Sequence, residues 1–395
     1  MKISSKKKKR TALRIVLTVI LTVMFIAAVI CNWFIPRSFA DYYCTRIFPY
    51  LSSPAQGFNM MFQFSITENV IICFVPLLAL GLIIWVVFLI RKILSHGAMS
   101  FLYKSYRNLM ILAIVAAVIF QAMHGINYKR THVSESLDLN GEELTYEEYC
   151  KALKWAYQGM IEARSRLGED YNGVAHMQES FENSATFACS LVDAFCEEYD
   201  VPASGNYVRA KPVSMSHYWS YTHIVGMYDP FLAEVNINTD YMSINEYPIT
   251  LCHELCHAKG YASETDCNTL SVLACSRSVR ADFRYAGYYE IFWNLYYVTE
   301  NIAEATGEVM PQYAASSEME PVYRDMRASI IYWNQIDKEV DEIKQVLGID
   351  ITEASDKVND TFLKSNGESG VDSYHVPDSV YVRYYMTYIE GADDA

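Results

Sequence analysis

Three apolar runs in the first third of the chain limit what it can fold into: residues 15–35, 70–90 and 109–126. A helix needs about 20 residues to cross a bilayer's hydrocarbon core, and the first two runs meet that length. The third is shorter and carries Gln121 and His124 near its end, so an interfacial or buried helix competes with a span there. Its flanks, Lys104 and Arg107 before and Lys129 and Arg130 after, are those of a span.

Charge divides at the same place. Residues 1–130 hold 15 Lys and Arg against 2 Asp and Glu, and residues 131–395 hold 17 against 44, which gives net charges of +13 and −27. A basic, apolar front and an acidic, polar back read as a membrane anchor over 1–130 and a water-facing domain over 131–395. The acidic part repels phosphates and the basic cluster at 6–10 abuts an apolar run, so nucleic acid is excluded as a partner and the lipid bilayer is expected as one.

Basic residues also set the orientation. Lys2, Lys6, Lys7, Lys8, Lys9, Arg10 and Arg14 precede the first run, and Arg91, Lys92, Lys104 and Arg107 follow the second, whereas only Arg37 and Arg46 lie between them. The N-terminus and second loop are expected in the cytoplasm, and the acidic domain outside it. Ser38-Phe39-Ala40 resembles a signal-peptide cleavage site, but the apolar run before it is long and Arg37 interrupts the approach, so an uncleaved anchor is expected. Of the ten cysteines none falls in a compact disulfide framework, and mostly free thiols are expected.

In the acidic domain, helical periodicity runs over 144–167, 177–199, 318–347 and 351–365. Residues 235–238, Val-Asn-Ile-Asn, alternate as a short strand. Pro248 then opens a helix bearing His253-Glu254-Leu255-Cys256-His257, with Gly260 as its stop. Two histidines four apart share a helix face and can reach one metal ion, and the glutamate between them lands beside it as a general base. The ion this layout suits is Zn2+. The strand just before suggests an edge to which an extended peptide substrate adds by main-chain hydrogen bonds.

Two acids compete for the third ligand position. Glu264, seven residues after His257, can fold back from the turn at Gly260, whereas Asp266 completes a capping box with Ser263 at the start of the next helix. Ligand geometry favours Glu264. Asn268 lies one turn past it on the same face, placed to hydrogen-bond a ligand histidine. A third histidine three residues after the glycine would define another zinc class, but Ser263 stands there, and a hydroxyl is a poor ligand. For stabilising an oxyanion, Tyr285, Tyr288, Arg284, His217 and His223 are candidates by side-chain type, with Tyr285 preferred.

Further stretches carry a resemblance: 64–68 (Phe-Ser-Ile-Thr-Glu), 230–236 (Pro-Phe-Leu-Ala-Glu-Val-Asn), 284–288 (Arg-Tyr-Ala-Gly-Tyr) and 370–374 (Gly-Val-Asp-Ser-Tyr), around the metal helix and Glu264, Asp266 and Asn268. Together they make the chain similar, over nearly its whole length, to a domain-of-unknown-function family of bacterial proteins with three N-terminal spans and a gluzincin-like zinc domain. That family more often has glutamate and alanine where this chain has Asp266 and Cys267. The resemblance implies a membrane-anchored, mainly α (α+β) zincin-like fold with a small sheet. The expected activity is zinc-dependent hydrolysis of an extended peptide or protein outside the cytoplasmic membrane. The alternative is a catalytically silent sensor or binding module, but such a module has no need of Glu254.

Overall fold

The computed structural model describes residues 2–390. Helix α1 (Lys2–Ile30) leads through a 3-10 turn to α2 (Arg37–Arg46) and α3 (Phe48–Asn59), and α4 (Ile66–Leu94) and α5 (Ala98–Met123) follow. Among the described residues, three segments are long and apolar enough to cross a membrane: Thr11–Phe34, Ile66–Leu94 and Ala98–Met123. The third exceeds the run read from the sequence because its helix takes in Ser100 and Ser105, whose hydroxyls accept from Arg14 at 3.0 Å and Trp85 at 2.9 Å on neighbouring spans. Helices α1 and α4 both pack on α5.

After α5 come the short α6 (Val133–Ser136), then α7 (Tyr146–Arg164) and α8 (Phe181–Glu198). Helix α7 starts with a full capping box between Thr145 and Glu148. The sheet is small and mixed: β1 (Lys211–Pro212), β2 (Gly226–Asp229) and β3 (Glu234–Ile237), with the short α9 (Ser216–Ser220) between β1 and β2. Its order is β1-β3-β2, with β3 parallel to β1 and antiparallel to β2. This corrects the expectation for 235–238, since β3 is central and buried at every position, leaving no edge for a substrate. Strands β1 and β2 are the two edges, and β2 is the one that packs on α10.

The chain then runs through α10 (Tyr247–Ala258), α11 (Glu264–Ser276), α12 (Ala281–Thr306), α13 (Glu320–Leu347), α14 (Ile351–Asn366) and α15 (Asp378–Tyr385). Helix α10 is buried on all sides except around Ile249 and Thr250, packed among α8, α11, α12 and the strands β2 and β3. A helix enclosed this way belongs to the core, so its polar side chains must find partners inside the protein. It ends in a Schellman turn: Gly260 has φ 96°, Tyr261 N–H reaches Cys256 O at 3.1 Å and Gly260 N–H reaches His257 O at 3.1 Å. All ten cysteines are free thiols.

Helix α3 and the start of α4 are tied to this core by side chains. Gln56 donates to Ala258 O at the end of α10 (3.1 Å), and Asn59 donates to Leu232 O and Ala233 O in the β2–β3 turn (2.8 and 3.1 Å). Glu234, on β3, accepts from the backbone N–H groups of Ile66 and Thr67 that open α4 (3.1 and 2.7 Å) and from buried Lys211 (2.6 Å). A carboxylate at a helix N-terminus meets unpaired donors and the positive end of the dipole. In the other direction, Glu68 of α4 accepts from Ser214 N and Met215 N at 2.9 and 2.6 Å. The sequence stretches 64–68 and 230–236 thus meet in space.

Candidate metal centre

His253 and His257 lie one turn apart on α10, and Glu264 opens α11 after the Schellman turn has reversed the chain. The three offer ligand atoms within 4.8 Å of one another. Glu264 Oε2 is 3.0 Å from His253 Nε2 and 3.5 Å from His257 Nε2. Each is nearly enclosed, with 8, 6 and 7% of its surface exposed for His253, His257 and Glu264, so the centre is buried.

The outer nitrogens decide the chemistry of the inner ones. Asn268 Nδ2 donates to Tyr374 O at 2.6 Å, which turns Asn268 Oδ1 toward His253 Nδ1, also at 2.6 Å. His257 Nδ1 lies 2.9 Å from Tyr261 O, a carbonyl that only accepts. Both Nδ1 atoms are therefore the protonated ones, and both Nε2 atoms present lone pairs to the Glu264 carboxylate. Three acceptors facing one another require a cation among them. Without metal a proton serves: burial opposes charge on His257, but Glu264, helped by Glu254 and the Tyr261 carbonyl, raises it to about 9. Burial likewise works against ionised Glu264, yet the two imidazoles hold its carboxyl well below the usual range.

The donor set fits zinc. Tetrahedral ligands at about 2.0–2.1 Å from a zinc ion stand roughly 3.3 Å apart, close to the spacings here. The Asn268 and Tyr261 oxygens orient the rings from behind, so for a zinc ion held by these residues Asn268→Ala is expected to lower the affinity about 10- to 100-fold, read by competition with a fluorescent chelator.

Glu254 sits beside the centre with 7% of its surface exposed. Burial raises its pKa, the two histidines pull it back, and the Tyr228 backbone N–H bonds its carboxylate. Strand β2 passes directly over it. A Cβ at Gly226 would lie 2.7 Å from Glu254 Cγ and Oε1, so the close approach of this strand depends on glycine.

Asp266 takes no part in the cluster. Its carboxylate binds Val133 N at 2.8 Å and His132 Nδ1 at 3.0 Å, fastening α11 to the segment after the third span. The expected capping box is absent too, since the Ser263 side chain makes no cap bond. Asp266 answers to a distant partner rather than to its own helix.

Tyr285 is also elsewhere: it is fully buried and its hydroxyl donates to Asp325 at 3.0 Å, in a network with Arg164. Arg284 reaches Glu162, Tyr288 packs on Trp155, His217 pairs with Asp240 and Glu339, and His223 pairs with Asp337. The rings beside the cluster are three others. Tyr374 stacks on His253 at 6.3 Å, Tyr228 stacks on His257 at 6.1 Å, and His124 lies 5.8 Å from His257. Tyr374 belongs to the stretch 370–374 singled out in the sequence, while nothing local marks His124 or Tyr228 as neighbours of His253 and His257.

A family model described as a protein of unknown function, DUF3810, matches residues 43–377. The chain belongs to the DUF3810 family. No curated protein and no solved structure matches it. The DUF3810 match takes in the second and third apolar helices, the sheet, the His253, His257 and Glu264 cluster, and Tyr374, so these lie within one family unit.

Proposed function

We propose that this DUF3810 protein is a membrane-anchored, zinc-dependent metallopeptidase with a zincin-like arrangement, whose domain over 131–395 lies outside the cytoplasm. The observation that carries the reading is the convergence of two oriented imidazole lone pairs and a buried carboxylate beside a second, desolvated carboxylate, Glu254. His253, His257 and Glu264 would hold zinc, which when bound supplies the Lewis acidity that makes water acidic near pH 7 and polarises a carbonyl.

The remaining steps belong to the protein. Glu254 accepts a proton from the attacking water as its oxygen bonds to the carbonyl carbon, and returns it to the amine nitrogen as the C–N bond breaks. Water is thereby divided between the two products. Strand β2 offers its outer edge to an extended substrate, and no further strand pairs with that edge among the described residues. Tyr374 and Tyr228, rather than Tyr285, bring phenol rings beside the two histidines, and one of them would donate to a developing oxyanion.

Metal analysis tests the ligand set. Purified full-length protein is expected to hold one zinc per chain, Glu264→Ala to lose it, and Asp266→Ala to keep it. Zinc retained by Glu264→Ala and lost from Asp266→Ala would assign the third ligand to the other acid, and a wild-type protein free of zinc after metal-replete purification would remove the metallopeptidase reading.

A further inference from the structure

The metal centre is built against the ends of the membrane helices. The third candidate span ends at Met123, and the next residue, His124, packs on the ligand His257 with ring centroids 5.8 Å apart. His124 is buried and its Nδ1 has no partner in the protein. Exposed aromatic residues stand next to the same ends of the spans in sequence or contact: Trp33 and Phe34 at the end of the first, Phe58 and Phe64 before the second, and Phe231 in the β2–β3 turn, which meets Phe120 of the third. Rings of this kind gather at a membrane–water boundary.

Strand β2 leads from that boundary to the chemistry. At one end Asp229 accepts from Thr67 Oγ1 at 3.0 Å, in the first turn of the second span, and beyond it Phe231 meets Phe120 of the third span at 6.4 Å. At the other end Gly226 lies on Glu254. An extended chain advances about 3.3 Å per residue, so the path from the bilayer edge to the general base takes roughly three to four residues.

We propose that the substrate is a membrane-inserted polypeptide, cut a few residues beyond the point where it leaves the bilayer. It adds as a strand to the outer edge of β2. This rests on the metallopeptidase reading and adds the substrate class to it. A freely diffusing peptide has no reason to need a site placed at the root of three spans, whereas a chain emerging beside them is delivered along β2 to Glu254.

The test uses the full-length zinc-loaded protein in liposomes with three probes carrying the same randomised, internally quenched segment. One places it directly after a single apolar span, one separates it from that span by a flexible Gly/Ser spacer of about 30 residues, and one leaves it free in solution. The first two share confinement to the membrane, so their difference isolates proximity. The directly joined probe is expected to be cut at least about tenfold faster than the spaced one, at bonds within about eight residues of the span, and Glu254→Gln is expected to abolish the difference. Equal rates for the joined and spaced probes, or faster cutting of the spaced one, would overturn the substrate class while leaving the metallopeptidase standing. If none of the three is cut by zinc-loaded protein, both readings fall.

Discussion

Glu254→Gln is expected to keep one zinc per chain and to lower peptide cleavage by about 10²- to 10⁴-fold, the range that general-base catalysis contributes. Glutamine matches glutamate in shape and leaves His253, His257 and Glu264 untouched, but it cannot take a proton from water. The enclosure of Glu254 matters to the size of the effect. Burial raises its pKa while His253 and His257 restrain the rise, so it is a stronger base than an exposed carboxylate. Zinc content and cleavage of a peptide library by both forms measure the outcome. Equal cleavage with zinc retained would show that the proton goes to another group.

The second large effect is on stability. Glu234→Ala is expected to cost about 3–5 kcal/mol, the usual consequence of leaving one member of a buried ion pair alone. Lys211 and Glu234 are 1 and 0% exposed in their side chains and 2.6 Å apart. The loss would also strip Ile66 N and Thr67 N of their acceptor at the start of the second span, although Lys211 would keep Asn59 O at 2.5 Å and Phe64 O at 3.2 Å. Denaturant unfolding of the full chain in detergent reads the change. The double variant Glu234→Ala with Lys211→Met is expected to recover part of it, because it removes the uncompensated charge; a double variant no more stable than Glu234→Ala alone would show that the charge is not the source of the cost.

The legible parts of this chain are those that depend on local geometry. Three apolar lengths fixed three helices, and i, i+4 spacing brought His253 and His257 to one face. The same reasoning placed Asn268 behind His253, since it lies one turn beyond Glu264 on a helix whose direction Gly260 sets. What stayed hidden depends on pairings across long stretches of chain. Asp266 has the spacing of a capping residue, and only the return of residues 132 and 133 to α11 gives it another partner. Tyr285 and Tyr374 are the same side chain by type, and it is the contact of Asn268 with Tyr374, 106 residues away, that puts one beside His253 while Asp325 holds the other in the core. Strand order was hidden for a related reason. The strands have two, four and four residues, too few for alternation to show which one lies in the centre.

The side-chain bonds that join spans to core also bear on how the protein can be divided. Charge changes sign near residue 130, which invites separating a soluble fragment from its anchor. Yet Arg130 donates to Gly260 O at 2.8 Å and lies over the Tyr261 ring at 3.7 Å, against the turn that carries Glu264 back to the histidines. A fragment that begins after Arg130 would lose that support, together with the acceptor and donor groups that Gln56, Asn59 and Glu68 give to the end of α10, the β2–β3 turn and the segment after β1. The anchor is therefore part of the scaffold of the site, and the unit that biochemistry must handle intact is the one that includes the lipid-facing helices.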